Sequence, residues 1–284
     1  MDSAIQPKLE ATSRQARPQS WSDPRPRTGI VLAAGNGLRM KGNGVRIPKV
    51  LLRVGGLHLV ERAILTHWFA GIERIRLVLG NDAQRVVAAV GQMERLRGIP
   101  LEIVLCEDFE LGNGASLRAG ARDLEEPFVV TMADHVLSGE MVRELVDAAT
   151  GDPDVPHLLV DPDPAAVFDL DDATKVRTAD GAIAAIGKEI ADYDVIDTGV
   201  FHFPAGAGRL IDRAIEAGGR SVSDIVAEFM ARDRFATVAA SHPIWQDVDT
   251  PEMAREAEQL LLNRLPHPEA GTTGVRRIRP LPPR

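Results

Sequence analysis

The chain has 284 residues, enough for one large domain or two small ones, and 44% of them are hydrophobic, ample for a buried core. A net charge of −8 argues against a broad nucleic-acid-binding surface, and the single cysteine, Cys106, excludes an intrachain disulfide framework and a cysteine-built zinc site. No apolar run approaches the roughly 20 residues that span a bilayer, and the N-terminus lacks the apolar stretch of a secretory signal, so a reducing, cytoplasmic setting is expected.

Residues 1–27 are polar and rich in proline, and are predicted to be a disordered extension. "GIVLAA" (Gly29–Ala34) is a short apolar run ending at a glycine, which predicts a buried strand. The glycine loop "GNGLRM" and the pair Pro48-Lys49 follow. "LHLVERAILTHWFAG" has helical spacing and stops at Gly71, "RIRLVLG" is the next strand, and "DAQRVVAAVGQMERLRG" opens on Asp82 and closes on Gly98 as a helix. The rhythm continues through strand "LEIVLC", helix "ASLRAGARDL", strand "PFVVTMAD", helix "SGEMVRELVDAAT" and strand "PHLLVD".

After Asp161 the pattern changes. "TKVRTADGAIAAIG" reads as a hairpin around Asp180-Gly181, and "DTGVFHFP" as a strand. Helices over 206–217 and 222–231, strands in "RFATVAA" and "PIWQDVDT", and a final helix from Pro251 complete the chain, with 266–284 a disordered tail. The expected fold is α/β: one domain over 28–265, a Rossmann-like, mostly parallel sheet with helices on both faces, and an added antiparallel subdomain on the substrate side. Open sheets of this kind bind ligands at the C-terminal ends of their strands.

A strand, a glycine loop and a helix present free backbone N–H groups to an anion, and glycine lets a phosphate approach without meeting a Cβ. Gly35 and Gly37 begin a dinucleotide fingerprint, but Met40 occupies its third glycine position, and neither glycine fits the Walker pattern. Arg39 and Lys49 place two cations behind the loop, suited to a triphosphate and to charge developing on it. A second glycine turn, "GNGASL", spans Gly112 to Leu117. Asp134 ends one strand, and Asp247 and Asp249 end another; carboxylates from two separated strand ends can hold one Mg²⁺. Taken singly, each feature has an ordinary explanation as a turn, a solvated cation or a helix cap.

Together they are more specific. The run L-A-A-G-x-G-x-R-M followed by P-K-x-L resembles the signature of the MobA-like nucleotidyltransferases, which activate sugar phosphates and related phospho-alcohols. The resemblance covers nearly all of the expected folded part. It implies that Leu32, Ala33, Ala34, Gly35 and Gly37 hold the nucleotide with Gly112, Asn113, Gly114 and Ser116. Arg39, Lys49 and Lys188 become catalytic cations, Lys188 gripping the acceptor phosphate beside Asp197, and Mg²⁺ is held by Asp134 with Asp247 or Asp249. His135 is expected to shape the pocket without carrying protons.

The narrower set "MADHV", "GNGASL", "IGK", "IDTGVF" and "WQDVDTPE" is similar to the CTP:inositol-1-phosphate cytidylyltransferases. That likeness implies CTP and inositol-1-phosphate as substrates, with CDP-inositol passed to a membrane synthase. Other acceptors stay open, among them a hexose-1-phosphate, phosphocholine and the molybdopterin cofactor, as does a nucleotide-binding regulatory module without activity. A nicotinamide-dependent dehydrogenase fits poorly, since Met40 breaks the fingerprint and no acidic residue follows a second strand at the ribose distance. The oligomeric state is not legible.

Overall fold

β1 (Thr28–Ala33) is buried along its whole length, and its alternate residues serve two cores, Ile30 and Leu32 on one face and Val31 and Ala33 on the other. The computed structural model describes residues 24–35 and 47–263; Gly37 and Arg39, residues 1–23 and the tail beyond 263 lie outside the described residues. The described chain is already docked ahead of the boundary expected at Thr28: Arg25 donates to the Ala70 carbonyl (3.2 Å), and the Arg27 carbonyl accepts from Glu73 N (2.9 Å).

After a 3-10 turn over Lys49–Leu51, a short hairpin of β2 (Arg53–Val54) and β3 (Leu57–His58) leads into α1 (Leu59–Phe69). The helix expected from Leu57 therefore starts two residues later. The Glu61 carboxylate accepts from His58 N (3.4 Å) and closes the first turn. β4 (Arg74–Leu79) and α2 (Ala83–Val90) follow. The helix expected over 82–98 stops at Val90, because Gly91 is a poor helix former and the backbone turns extended at Met93; only a 3-10 turn forms over Glu94–Leu96. Next come β5 (Leu101–Leu105), α3 (Asn113–Ala121), β6 (Phe128–Met132), β7 (His135–Leu137), α4 (Gly139–Gly151) and β8 (His157–Asp161). The second half holds β9 (Lys175–Ala179), β10 (Ala182–Gly187), β11 (Val195–Phe203), α5 (Gly208–Glu216), α6 (Val222–Met230), β12 (Ala236–Ala239), β13 (Trp245–Asp247) and α7 (Pro251–Leu262).

The main sheet runs β5-β4-β1-β6-β11-β8-β12-β10-β9. Its first four strands are parallel, β11 is inserted antiparallel between β6 and β8, and β12 pairs parallel with β8. β9 and β10 form the expected hairpin, and β9 also pairs with the start of β11, Val195 opposite Val176, so the second half curls back on itself. Helices α3, α5 and α6 cover one face, and α1, α2 and α4 the other. Strand order reverses beside β1, with β4 on one side and β6 on the other. This switch point opens a crevice at the strands' C-terminal ends, where Ala34–Gly35 and Asp134 stand. Apart from the main sheet, β7 and β13 make a two-stranded ribbon packed against α7.

Candidate active site

Three remote segments meet at Lys49. Its Nζ donates to Asp134 Oδ2 at 2.8 Å and makes a second, close ion pair with Asp249. The lysine side chain is 9% exposed, the carboxylates 34% and 25%, so the cation is buried while its partners keep one side open to the cavity. Burial alone would raise the Asp134 carboxyl, but the hydrogen bond from His135 and the Lys49 charge outweigh it and hold the group well below the usual carboxylate range. Burial likewise works against the Lys49 charge, and the two carboxylates reverse that effect and raise it. The cap of α7, which the position of Asp249 before Thr250-Pro251 suggests for that residue, is made by Thr250, whose Oγ1 accepts from Met253 N (3.2 Å).

The ribbon carries the other half of the arrangement. β7 and β13 place His135 opposite Asp247 and Leu137 opposite Trp245. His135 Nδ1 lies 2.9 Å from Asp134 Oδ1, and its ring stacks on Trp245 with centroids 6.1 Å apart and planes 17° off parallel. The indole N–H donates to Asp161 Oδ2 (2.8 Å). Burial would lower the His135 ring, while the bond to Asp134 and its charge raise it. From the opposite side His135 meets β11 at a bulge, where Gly199 has φ +75° and a Cβ would stand 2.9 Å from the imidazole. The same bulge aims Asp197 inward. Its Oδ1 accepts from Gly199 N (2.7 Å), and burial pushes its carboxyl up to about 6.

These carboxylates, His135 and Trp245 line one cavity of about 570 Å³ that runs from Leu32, Ala34 and Gly35 past Gly112, Asn113 and Ser116 to Asp161, Lys188 and Asp197, while Lys49 is buried behind its two carboxylates. Ala33 is not on this wall; it points into the opposite core. Gly114 is not on it either: its N–H donates to the Arg220 carbonyl (2.9 Å). The glycine turn serves packing as well as access. Gly112 has φ +120°, and a Cβ there would stand 2.3 Å from the Arg220 oxygen. Asn113 Oδ1 accepts from Val222 N (3.0 Å), so the same side chain that lines the cavity also ties the turn to the start of α6.

Asp172, Asp247 and Asp249 each bring a carboxylate oxygen within 4.8 Å of the others. Asp172 thus joins Asp247 and Asp249, two of the carboxylates expected from sequence, while the third, Asp134, meets Lys49 through Oδ2 and His135 through Oδ1. Burial raises the Asp247 carboxyl, and although His135 opposes this, the neighbouring Asp249 and Asp134 add to it. Lys188 Nζ pairs with Asp172 Oδ1 (2.6 Å). Beneath it, the buried Lys175 donates to the carbonyls of Asp171 (3.2 Å), Ala173 (3.3 Å) and Lys188 (2.9 Å), fixing the loop before β9 to the end of β10.

Residues 29–179 match the family model of the MobA-like NTP transferase domain. The chain belongs to the MobA-like NTP transferase family. A protein of Rubrobacter xylanophilus named bifunctional IPC transferase and DIPP synthase is 36% identical over 239 residues, covering 82% of this chain and 51% of that one. A protein of the same name from Archaeoglobus fulgidus is 29% identical over 238 residues, covering 82% and 44%. The chain therefore spans about half the length of the curated relatives it matches. Among solved structures, the inositol-1-phosphate CTP transferase of T. maritima superposes with a TM-score of 0.72 at 22% identity, covering 84% of this chain and 96% of that one, which establishes the shared fold.

Sequence reasoning passed over Asp161, Asp172 and Trp245. Asp161 ends a buried strand just as Asp134 does, and the same argument would have found it. Asp172 lies within the acidic run "DLDD", which offered only a weak signal. Among the described residues no helix is long and apolar enough to cross a membrane.

Proposed function

We propose that the chain transfers CMP from CTP to inositol-1-phosphate, giving CDP-inositol and pyrophosphate. The observation that carries this reading is the convergence of Lys49, Asp134 and Asp249 beside a cavity with two unlike ends: a glycine turn at 112–116, and a wall of Asp161, Asp197 and Trp245. The family membership and the printed names of the relatives support it.

In this reading the base lies against Gly112, Asn113 and Ser116, where backbone N–H groups and the Asn113 amide offer hydrogen bonds to a pyrimidine edge. The triphosphate crosses Ala34 and Gly35, and Arg39, four residues on in the sequence, is proposed to neutralise it. Lys188, partnered by Asp172, and Lys49 bracket the acceptor phosphate. That phosphate has its second pKa near 6 and is ionised at neutral pH. One of its oxygens attacks the α-phosphorus in line, the new P–O bond forms as the bond to the β-phosphate oxygen breaks, and pyrophosphate leaves carrying the electron pair. No protein base is required, so the chain's residues act by positioning and charge neutralisation.

The carboxylates of Asp172, Asp247 and Asp249 form an all-oxygen donor set that fits Mg²⁺. Bound there, Mg²⁺ supplies charge neutralisation on the phosphates. The cytoplasm is the proposed location, and the product is proposed to pass to a synthase of the kind that the relatives' names pair with the transferase.

Purified protein given CTP, Mg²⁺ and inositol-1-phosphate should release pyrophosphate, and Lys49→Ala or Asp134→Ala should reduce turnover by about 10²–10³. Preference for another nucleotide or acceptor would replace the substrates; CTP binding with no turnover on any phospho-alcohol would leave a nucleotide-binding module.

A further inference from the structure

We propose that Trp245 is the platform on which the ring of the acceptor lies, and that it selects cyclic polyol phosphates over open-chain ones. The inference rests on the nucleotidyl-transfer reading and adds the residue that discriminates among acceptors.

Trp245 is held at both its edge and its face. Its N–H is tied to Asp161 Oδ2 at 2.8 Å, and Asp161 is itself fixed by accepting from Asp163 N through Oδ1 (2.9 Å). Its face lies along His135, which is clamped between the Asp134 carboxylate and the Gly199 bulge. The backbone of Trp245 is paired with Leu137 in the ribbon. An indole so fixed cannot follow a flexible ligand; it suits a rigid one with a flat apolar side.

A cyclic polyol is such a ligand. Its C–H bonds form one face that packs on an aromatic π-surface, while its hydroxyls project from the rim as hydrogen-bond donors. Acceptors for those donors stand in the same cavity, since Asp161 and Asp197 line it with Trp245. Lys188 and Asp247 line it too, so the cavity that holds the platform also offers a cation for the ring's phosphate and one of the carboxylates expected to hold the metal. An open-chain phospho-alcohol presents no face to the indole. A quaternary ammonium head would also be drawn to an aromatic beside carboxylates, so it must be compared directly.

The test measures pyrophosphate release at saturating CTP with four acceptors: inositol-1-phosphate, glucose-1-phosphate, glycerol-3-phosphate and phosphocholine. Wild-type protein is compared with Trp245→Phe and Trp245→Leu. The expected result is a KM for the two ring acceptors raised about tenfold in the Leu variant, the KM for CTP unchanged, and ring-to-chain selectivity collapsed, with the Phe variant retaining most of it. Unchanged selectivity in Trp245→Leu would overturn the proposal and leave the indole as packing, as would an equal rise in both KM values or a wild-type preference for phosphocholine. If wild-type protein releases no pyrophosphate with any acceptor, the transfer reading itself fails. Calorimetric binding of inositol-1-phosphate to wild-type and Leu proteins then decides the platform alone: about tenfold weaker binding to the variant supports it, and equal affinity overturns it.

Discussion

Asp197 illustrates a cost built into the site. Its carboxyl borders the cavity yet lies deep, and burial moves it from 3.8 to about 6 despite the hydrogen bond from Gly199 N. A carboxyl that is easier to protonate when folded binds more protons in the native state between those two values. Stability therefore falls as pH rises from about 4 to about 6 and stays lower above. The full difference is worth about 3 kcal/mol at 1.36 kcal/mol per pKa unit, and contact with the cavity reduces this to about 1–2 kcal/mol. Asp197→Asn removes the ionisation while keeping the shape and an oxygen acceptor for Gly199 N. Urea denaturation should show the variant equal to wild type at pH 4, gaining through pH 5 and 6, and about 1–2 kcal/mol more stable from pH 7 upward. The same variant should bind the acceptor less well, because an amide is a poorer partner for hydroxyls than a carboxylate. A variant that is no more stable at pH 7, or one whose advantage is constant from pH 4 to pH 8, would refute the reasoning.

Gly112→Ala should lower the melting temperature by about 5–10 °C, since its Cβ would stand 2.3 Å from the Arg220 carbonyl oxygen at a φ of +120°. CTP binding should weaken along with it, measured by calorimetry on the folded variant. Lys175→Met should cost about 2–4 kcal/mol by stranding three carbonyls. It should also speed proteolysis within residues 162–174 and raise the acceptor KM through Lys188, leaving the CTP KM unchanged.

The alternation of strands and helices up to Asp161 was legible because each apolar run ends at a glycine, a cap or a turn. The Asp180-Gly181 hairpin was legible for the same reason, and both residues adopt the positive φ, +51° and +73°, that such a turn requires. Strand order was not legible. The insertion of β11 between β6 and β8 depends on contacts between distant segments, and no local pattern records it. The site divides along the same line. Strand-end carboxylates and glycine turns announce themselves, so Asp134, Asp247 and Asp249 could be proposed as a metal set, while Gly112 became a nucleotide contact only through the family resemblance. Lys175 carries no signal in the sequence and is buried in the structure, because the three carbonyls that receive it come from a loop and a hairpin that fold around it. Gly114 and Asn113 read as ligand contacts; both meet the turn at 220–222, about a hundred residues farther on, and of the two Asn113 lines the cavity.

The ribbon of β7 and β13 acts as a caliper. Three residue pairs, with Ser138 N bonded to the Ile244 carbonyl at one end and Val248 N to the Asp134 carbonyl at the other, set how far the indole stands from the acidic groups. A slip of one residue would shift one strand by about 3.3 Å and turn the buried Gln246 outward in place of its neighbours, so the spacing is quantised and cannot be tuned gradually. A chain of this fold that adapts to a longer or shorter acceptor must do so by exchanging side chains on that frame, and position 245 is where such an exchange changes the span most directly.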